Sequence, residues 1–110
     1  MTNQDLSTAA CLAMHATADL PHRAHESVLY PRLAESDVQA VEVCVPWLRE
    51  RGYRVTVGDS VDEHDNPRAV AVAKKISEPH DANTRIKFGE TWAIALCRMV
   101  LAVAESEAQP

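Results

Sequence analysis

Aromatic side chains are scarce: two Trp, two Tyr and one Phe in 110 residues. That leaves little from which to build the stacking platforms on which single-stranded nucleic acids are held. Positive charge is also in short supply. Eleven Lys and Arg against sixteen Asp and Glu give a net charge of −5, so the general attraction to phosphates that underlies nucleic-acid affinity is missing and no direct nucleic-acid partner is expected. Cysteine is sparse and unpaired. Cys11, Cys44 and Cys97 are odd in number and far apart, with no CxxC pair to suggest zinc or redox work. Each falls at a helical position among apolar neighbours, where a thiol behaves as a small hydrophobe, so reduced, buried thiols are expected. No apolar run approaches the ~20 residues that a bilayer crossing needs. Internal repeats, low-complexity segments and cofactor or catalytic signatures are also lacking. The first residues, MTNQDLSTAACLAMHAT, carry Asp5 where a secretory leader would carry Lys or Arg. A cytoplasmic protein is expected, with no membrane partner.

What is present is one strongly apolar stretch, GETWAIALCRMVLAVAE, from Gly89 to Glu105. Between Trp92 and Ala104 only Arg98 is charged, and apolar residues cover every side of a 3.6-residue helix, so this helix must be enclosed. Trp92, Leu96, Met99, Val100 and Val103 mark one wall, while Ile94, Cys97, Leu101 and Ala104 mark much of the opposite one. Either the rest of the chain or a second copy must supply two surfaces to cover them, and a homodimer is one expectation that follows.

At 110 residues, 46% hydrophobic and 25% charged, the chain has the size and composition of a single globular domain. Residues 2–18 predict a first helix on the recurrence of Leu6, Ala9, Ala10, Ala13 and Met14, started by Thr2 with Asp5 three residues on. Pro21 ends it. Residues 20–36 read as a connector, with one helical turn around 24–29 and Val28, Leu29, Tyr30 and Leu33 pinning it to the core. Ser36 or Asp37 caps a second helix whose apolar stripe is Val38, Val41, Val45 and Leu48, with Cys44 and Trp47 beside it and Gly52 as the left-handed residue after its end. Pro46 inside it predicts a kink near Glu42 to Pro46, or two short helices meeting there. Tyr53–Asp59 alternates as a strand, and a polar turn follows. Arg68–Ile76 is a second strand, with Val70, Val72 and Ile76 on one face and Ala69, Ala71 and Ala73 on the other. Both of its faces are expected to be covered. Thr84–Phe88 is a short third strand with Ile86 and Phe88 turned to the core. The expected fold class is α+β: an N-terminal helix, a kinked second helix, a three-stranded antiparallel meander and a buried C-terminal helix in a layered sandwich. Residues 1–35 form a helix-plus-connector extension, 36–105 an αβββα core and 106–110 a frayed tail of one domain.

Candidate functional residues fall in two places. The connector carries His22, Arg23 and His25; the first hairpin carries Asp59, Asp62, Glu63, His64 and Asp65. A zinc site requires three or four converging ligands, usually with paired spacing. His22 and His25 are three apart, but no second pair accompanies them, so no metal or other cofactor is expected. The acidic hairpin lacks the alternation and terminal Glu of a calcium loop. His64 beside Asp62 or Asp65 has the makings of a base and its orienter. No activated nucleophile accompanies it, so catalysis is not expected; a small metal-dependent hydrolase or metal binder using His22, His25 or His64 is the alternative. Arg54, Lys75 and Lys87 make a basic patch if they share a sheet face.

The phrases ESDVQAVEVCVPWLRERGYRVTV and ETWAIALCRMVLAVAE, spaced by a hairpin, resemble the small αβ proteins of bacteriophages and prophages known as the phage ABA sandwich domain. The resemblance spans Ser36 to Glu105. It implies a non-enzymatic phage accessory protein that works by binding a host protein or complex, in the manner of counter-defence factors such as anti-CRISPR proteins. Carboxylates at Asp59, Asp62, Glu63 and Asp65 suit a partner with a basic, nucleic-acid-binding face.

Overall fold

A computed structural model describes residues 2–17, 32–76 and 84–108. His22, Arg23, His25 and His80 lie outside the described residues, as do the expected helical turn at 24–29 and Val28, Leu29 and Tyr30. The described elements are α1 (Asn3–Thr17), a short 3-10 helix (Leu33–Glu35), α2 (Asp37–Glu50), β1 (Tyr53–Val61), β2 (Pro67–Lys75), β3 (Arg85–Gly89) and α3 (Trp92–Ala108). The architecture is α+β: an antiparallel three-stranded meander in the order β1-β2-β3, with helices layered on one of its faces.

Local chemistry sets the element boundaries. Thr2 and Asp5 close a reciprocal cap on α1, the Asp5 N–H donating to Thr2 Oγ1 at 3.1 Å and the Thr2 N–H to Asp5 Oδ2 at 3.2 Å. Ser36 Oγ accepts from the Gln39 N–H at 3.2 Å and starts α2. Gly52, at φ 85°, takes the left-handed position after the end of α2, where a Cβ is costly. The chain then turns directly into β1.

The long apolar helix is the centre of the molecule. α3 touches the sheet on one side and α1, α2 and the 3-10 helix on the others. Ala93, Ala95, Leu96, Cys97, Met99, Val100 and Val103 are sealed completely. The chain supplies both of the surfaces that this helix demands, so its coverage requires no second copy. α1 packs on α3 rather than on the sheet, giving the layer order sheet, α3 with α2, then α1. Two buried polar links fasten α1 in place. Ser7 Oγ donates to Asn3 O at 2.9 Å and accepts the Ala34 N–H of the 3-10 helix at 2.8 Å, and Trp47 Nε1 donates to Met14 O at 3.3 Å.

Small residues mark where α3 meets the sheet. Ala69, Ala71 and Ala73 of β2 are buried against it. At Gly89 a Cβ would stand 2.7 Å from Ile94 Cγ2 and 2.8 Å from Ala95 N, closer than atoms pack. At its far end α3 runs to Ala108, beyond the Glu105 expected from sequence. Arg85 Nη2 donates to Ser106 Oγ at 2.6 Å, and Arg51 Nε pairs with Glu107 Oε2 at 3.3 Å.

Three sequence expectations are corrected. The buried face of α2 is Ala40, Cys44, Trp47 and Leu48, and Val38, read as part of the stripe, is 70% exposed. Of the two alternatives for Pro46, a kinked helix or two short helices, α2 is a single helix that contains the proline. Ile86 does not face the core: it is 52% exposed on the opposite side of the sheet. The valine face of β2, expected to be covered, has no described helix against it.

Candidate interaction surface

The strand register sorts the side chains of the sheet into two faces. Pairing of Gly58 with Val70 and Val70 with Phe88, and of Thr56 with Val72 and Val72 with Ile86, places these six residues side by side. Because successive residues of a strand point to opposite sides, they share the face away from the helices. Arg54 lies opposite Lys74 on the next row towards the β2 end, and Ser60 opposite Arg68 on the row nearest the hairpin. Ile76, 64% exposed, follows just past β2. Among the described residues, then, this open face has an aliphatic centre with cations at both ends, and at the hairpin end the Asp62 carboxylate lies close enough to Arg68 for their charges to interact.

Arg68 is held in place by an aromatic ring. Its guanidinium carbon sits 3.6 Å from the centroid of Phe88, a cation–π stack, and its Nε is buried without a hydrogen-bond partner. Phe88 is therefore partly covered by an arginine rather than by the core. The expected basic patch of Arg54, Lys75 and Lys87 does not form. Lys75 and Lys87 pair with Tyr53 and Ala71 on the helix side, and Lys75 Nζ lies 5.8 Å from the Tyr53 ring centroid, whereas Arg54 is on the open side. A one-residue offset in a strand moves a side chain to the other face.

The acidic hairpin joins β1 to β2 through residues 62–66. Asp62 O accepts the Asp65 N–H and the Asp62 N–H donates to Asn66 O, both at 3.0 Å, and Asp65 takes φ 62°. A turn followed by a left-handed residue is the usual form of a three-residue hairpin loop, with Gly the common occupant of the last site. Asp62 is consumed by this turn. Its Oδ1 accepts the His64 and Asn66 N–H groups at 2.8 and 2.9 Å, and these bonds hold its carboxyl below the usual 3.8. Asp59 is not in the turn at all. It pairs with Ala69 inside the sheet, and its Oδ1 accepts the Trp92 indole N–H at 3.1 Å. Glu63, His64 and Asp65 remain, all exposed at the tip, with His64 Nε2 3.7 Å from Glu63 Oε1.

A hollow of about 350 Å³ opens between the base of the hairpin and the starts of α2 and α3, lined in part by Asp37, Asp59, Arg68, Glu90 and Trp92. Two of its three carboxylates have structural duties. Asp59 holds the indole, and Asp37 Oδ1 accepts the Ala93 N–H at 2.9 Å, capping α3 from the start of α2. Thr91 Oγ1 adds a second cap by accepting the Ile94 N–H at 3.2 Å.

One grouping was not foreseen from sequence. Cys11 of α1, Cys44 of α2 and Cys97 of α3 are all buried and free, and they come close enough to affect one another. Cys44 is hydrogen-bonded to Cys97; that bond and burial push the Cys44 thiol well up. Burial, with Cys97 nearby, raises Cys11 to about 11. Spacings of 33 and 53 residues carry no motif; only the packing of three helices brings these residues together. At Cys11 and Cys44 the raised values disfavour the thiolate, the form that acts as nucleophile and metal ligand. Among the described residues no three His, Cys, Asp or Glu side chains are placed to hold a metal ion, and no described helix is long and apolar enough to cross a membrane.

Fold and surface together define a small α+β domain with one helix-covered and one open sheet face. Comparison with family models, with curated proteins and with solved structures gives no match.

Proposed function

We propose that the protein acts by binding another protein, without catalysis of its own. The observation that carries this reading is the open sheet face, where Val70, Val72, Ile86 and Ile76 leave aliphatic surface in water beside Arg54, Arg68 and Lys74. Soluble domains normally place such a face against another layer, and an exposed apolar patch rimmed by polar groups marks a protein contact. The resemblance of residues 36–105 to the phage ABA sandwich domain supplies the setting: a phage accessory protein in the host cytoplasm, directed at a host protein or complex as a counter-defence factor. The hairpin tip favours a second contact. Asp62 ties the loop backbone down, and the exposed Glu63 and Asp65 supply carboxylates at its tip suited to a basic partner face.

Capture from a bacterial host lysate tests the reading, with three baits: wild type, Val72→Glu/Ile86→Glu on the sheet, and Glu63→Lys/Asp65→Lys on the tip. Both double variants alter exposed or half-exposed positions and are expected to keep the wild-type circular dichroism. A host protein retained by wild type and lost from the sheet variant is the expected outcome. Identical captured sets from all three baits overturn it.

A further inference from the structure

β1 forms one outer edge of the sheet. On the reading that the protein works by binding another protein, we infer that this edge takes an extended segment of the partner, paired with β1 as a fourth strand. The hydrogen-bond pattern gives the first argument. In an antiparallel ladder, residues that bond to the neighbouring strand alternate with residues whose N–H and C=O groups point the other way. The Ile76 N–H donates to Gly52 O at 2.8 Å and the Asp62 N–H to Asn66 O at 3.0 Å, one just beyond each end of the β1–β2 register. The even-numbered residues of β1 therefore bond to β2, while Val55, Val57 and Asp59 turn their main-chain groups outward. Among the described residues nothing bonds to those groups. The opposite edge is closed: β3 has five residues, and its Phe88 carbonyl accepts Arg98 Nη1 at 2.6 Å. β1 has nine residues in unbroken register, without bulge or proline. A long edge lacking such protection is a template for strand addition.

The helix layer decides between a partner's strand and a second copy of this chain. α3 packs on β2 and β3, and α2 lies beside it on β1. Packed helices stand ~8–10 Å apart and strands ~4.8 Å apart, so α2 sits over the outer rim of β1. Two copies joined antiparallel through β1 would carry their helices on the same side of a common sheet and bring both α2 helices into one space. A partner strand with no helix above it meets no such obstacle. Alternation specifies its side chains. Those beside Val55 and Val57 lie on the side of α2, where both valines are half-buried and apolar neighbours fit; those beside Thr56 and Gly58 lie on the open face and are polar or small. Charge sets the direction. Arg54 is exposed near the start of β1, and Glu63 and Asp65 are exposed beyond its end. An antiparallel partner strand therefore begins with a base near the hairpin and ends with an acid opposite Arg54.

The test is hydrogen exchange of the full chain, labelled with 15N. In the free protein the amides of Val55, Val57 and Asp59 should exchange at least about tenfold faster than those of Thr56, Gly58 and Ser60. The probe is a synthetic strand of about the length of β1, with Lys at its N-terminal end, Val and Thr alternating, and Glu at its C-terminal end. It should slow exchange at the three outward amides. The same peptide N-methylated along its pairing edge should bind at least about tenfold more weakly, and so should the unmodified peptide to Val57→Pro. That variant removes an N–H that β2 does not use, so it is expected to keep the wild-type circular dichroism; if it does not, the N-methylated peptide decides. A peptide with Lys and Glu exchanged should bind more weakly at low salt. The inference is overturned by slow exchange of the outward amides in the free protein, by failure of the peptide to protect them, by equal binding of the N-methylated or charge-exchanged peptide, or by a dimer in sedimentation that Val57→Pro abolishes. If the edge fails while a lysate partner is still lost from Val72→Glu/Ile86→Glu, strand addition falls and the binding reading stands. If both fail, both fall.

Discussion

Asp62 shows how much one exposed side chain organises. It receives the His64 and Asn66 N–H groups and so shapes the only described turn between two strands. Its carboxylate form is the one that accepts these bonds, and its folded-state pKa is lowered below the ordinary 3.8. The stabilisation it gives is therefore complete above pH 3.8 and is lost as pH falls through the lower, folded value. Asp5, lowered by the Thr2 backbone N–H and then the Thr2 hydroxyl, behaves in the same sense. Thermal melts between pH 5 and 2 should show a declining acid limb that Asp62→Asn makes shallower. Ser7 is the buried counterpart. Ser7→Ala leaves the Ala34 N–H without its acceptor and should cost about 1–3 kcal/mol, read as a lower urea midpoint with faster hydrogen exchange at Ala34. Neither role is announced by residue type: Ser7 lies on an alanine-rich helix face, and its acceptor duty exists only because the 3-10 helix arrives there.

At the scale of elements, the parts of the fold written in local chemistry were legible. Thr2 with Asp5, Ser36 and Gly52 are boundary signals that act within a few residues, and each works as its type dictates. Which face of each element is covered was less legible. Both faces of β2 are apolar, so alternation shows that there are two faces without saying which meets a helix. The discriminating signal is size: alanine on one face permits the close approach of α3, while the valines on the other are half-buried with no described helix over them. The same misreading put Val38 rather than Ala40 inside. Pro46 is the element-level anomaly, exposed and within a continuous α2. An interior proline removes a hydrogen bond and crowds the carbonyl four residues back, a cost of about 3 kcal/mol partly offset by its stiffening of the unfolded chain. Pro46→Ala should accordingly raise stability by about 1–2 kcal/mol, seen as a rise in melting temperature. An unchanged or lower value would mean that α2 is shaped around the proline.

For the whole molecule, the decisive fact is that α1 and α2 converge on α3 and thereby bring three thiols together. Cys11, Cys44 and Cys97 are sealed in the folded state. A thiol reagent should label none of them on the timescale on which it labels the urea-unfolded chain, with rates that follow the population of the opened form. The raised pKa values of Cys11 and Cys44 also set an alkaline limit. Below about pH 9, the ordinary thiol value, the protonated core loses nothing. Above it the unfolded chain gives up thiol protons more readily than the folded one, so stability should fall from pH 9 towards 11. The candidate surface was half legible at this scale. The acidic loop was visible as composition, but Asp59 and Asp62 turned out to serve the structure. The open sheet face was hidden, because it depends on register and on where the helices lie.

The placement of α3 has a consequence for how the protein is made. A ribosome delivers residues 1–91 first, and much of the described interior among them, such as Ala69, Ala71 and Ala73 of β2, is destined for a helix that does not yet exist. At about 5–20 residues per second, Trp92 to Ala108 need roughly one to three seconds more. Until they emerge the earlier segments lack the helix they close around, so the fold is completed only after this helix has been made, and nascent chains halted before Val103 should be open to proteases and chaperones alike.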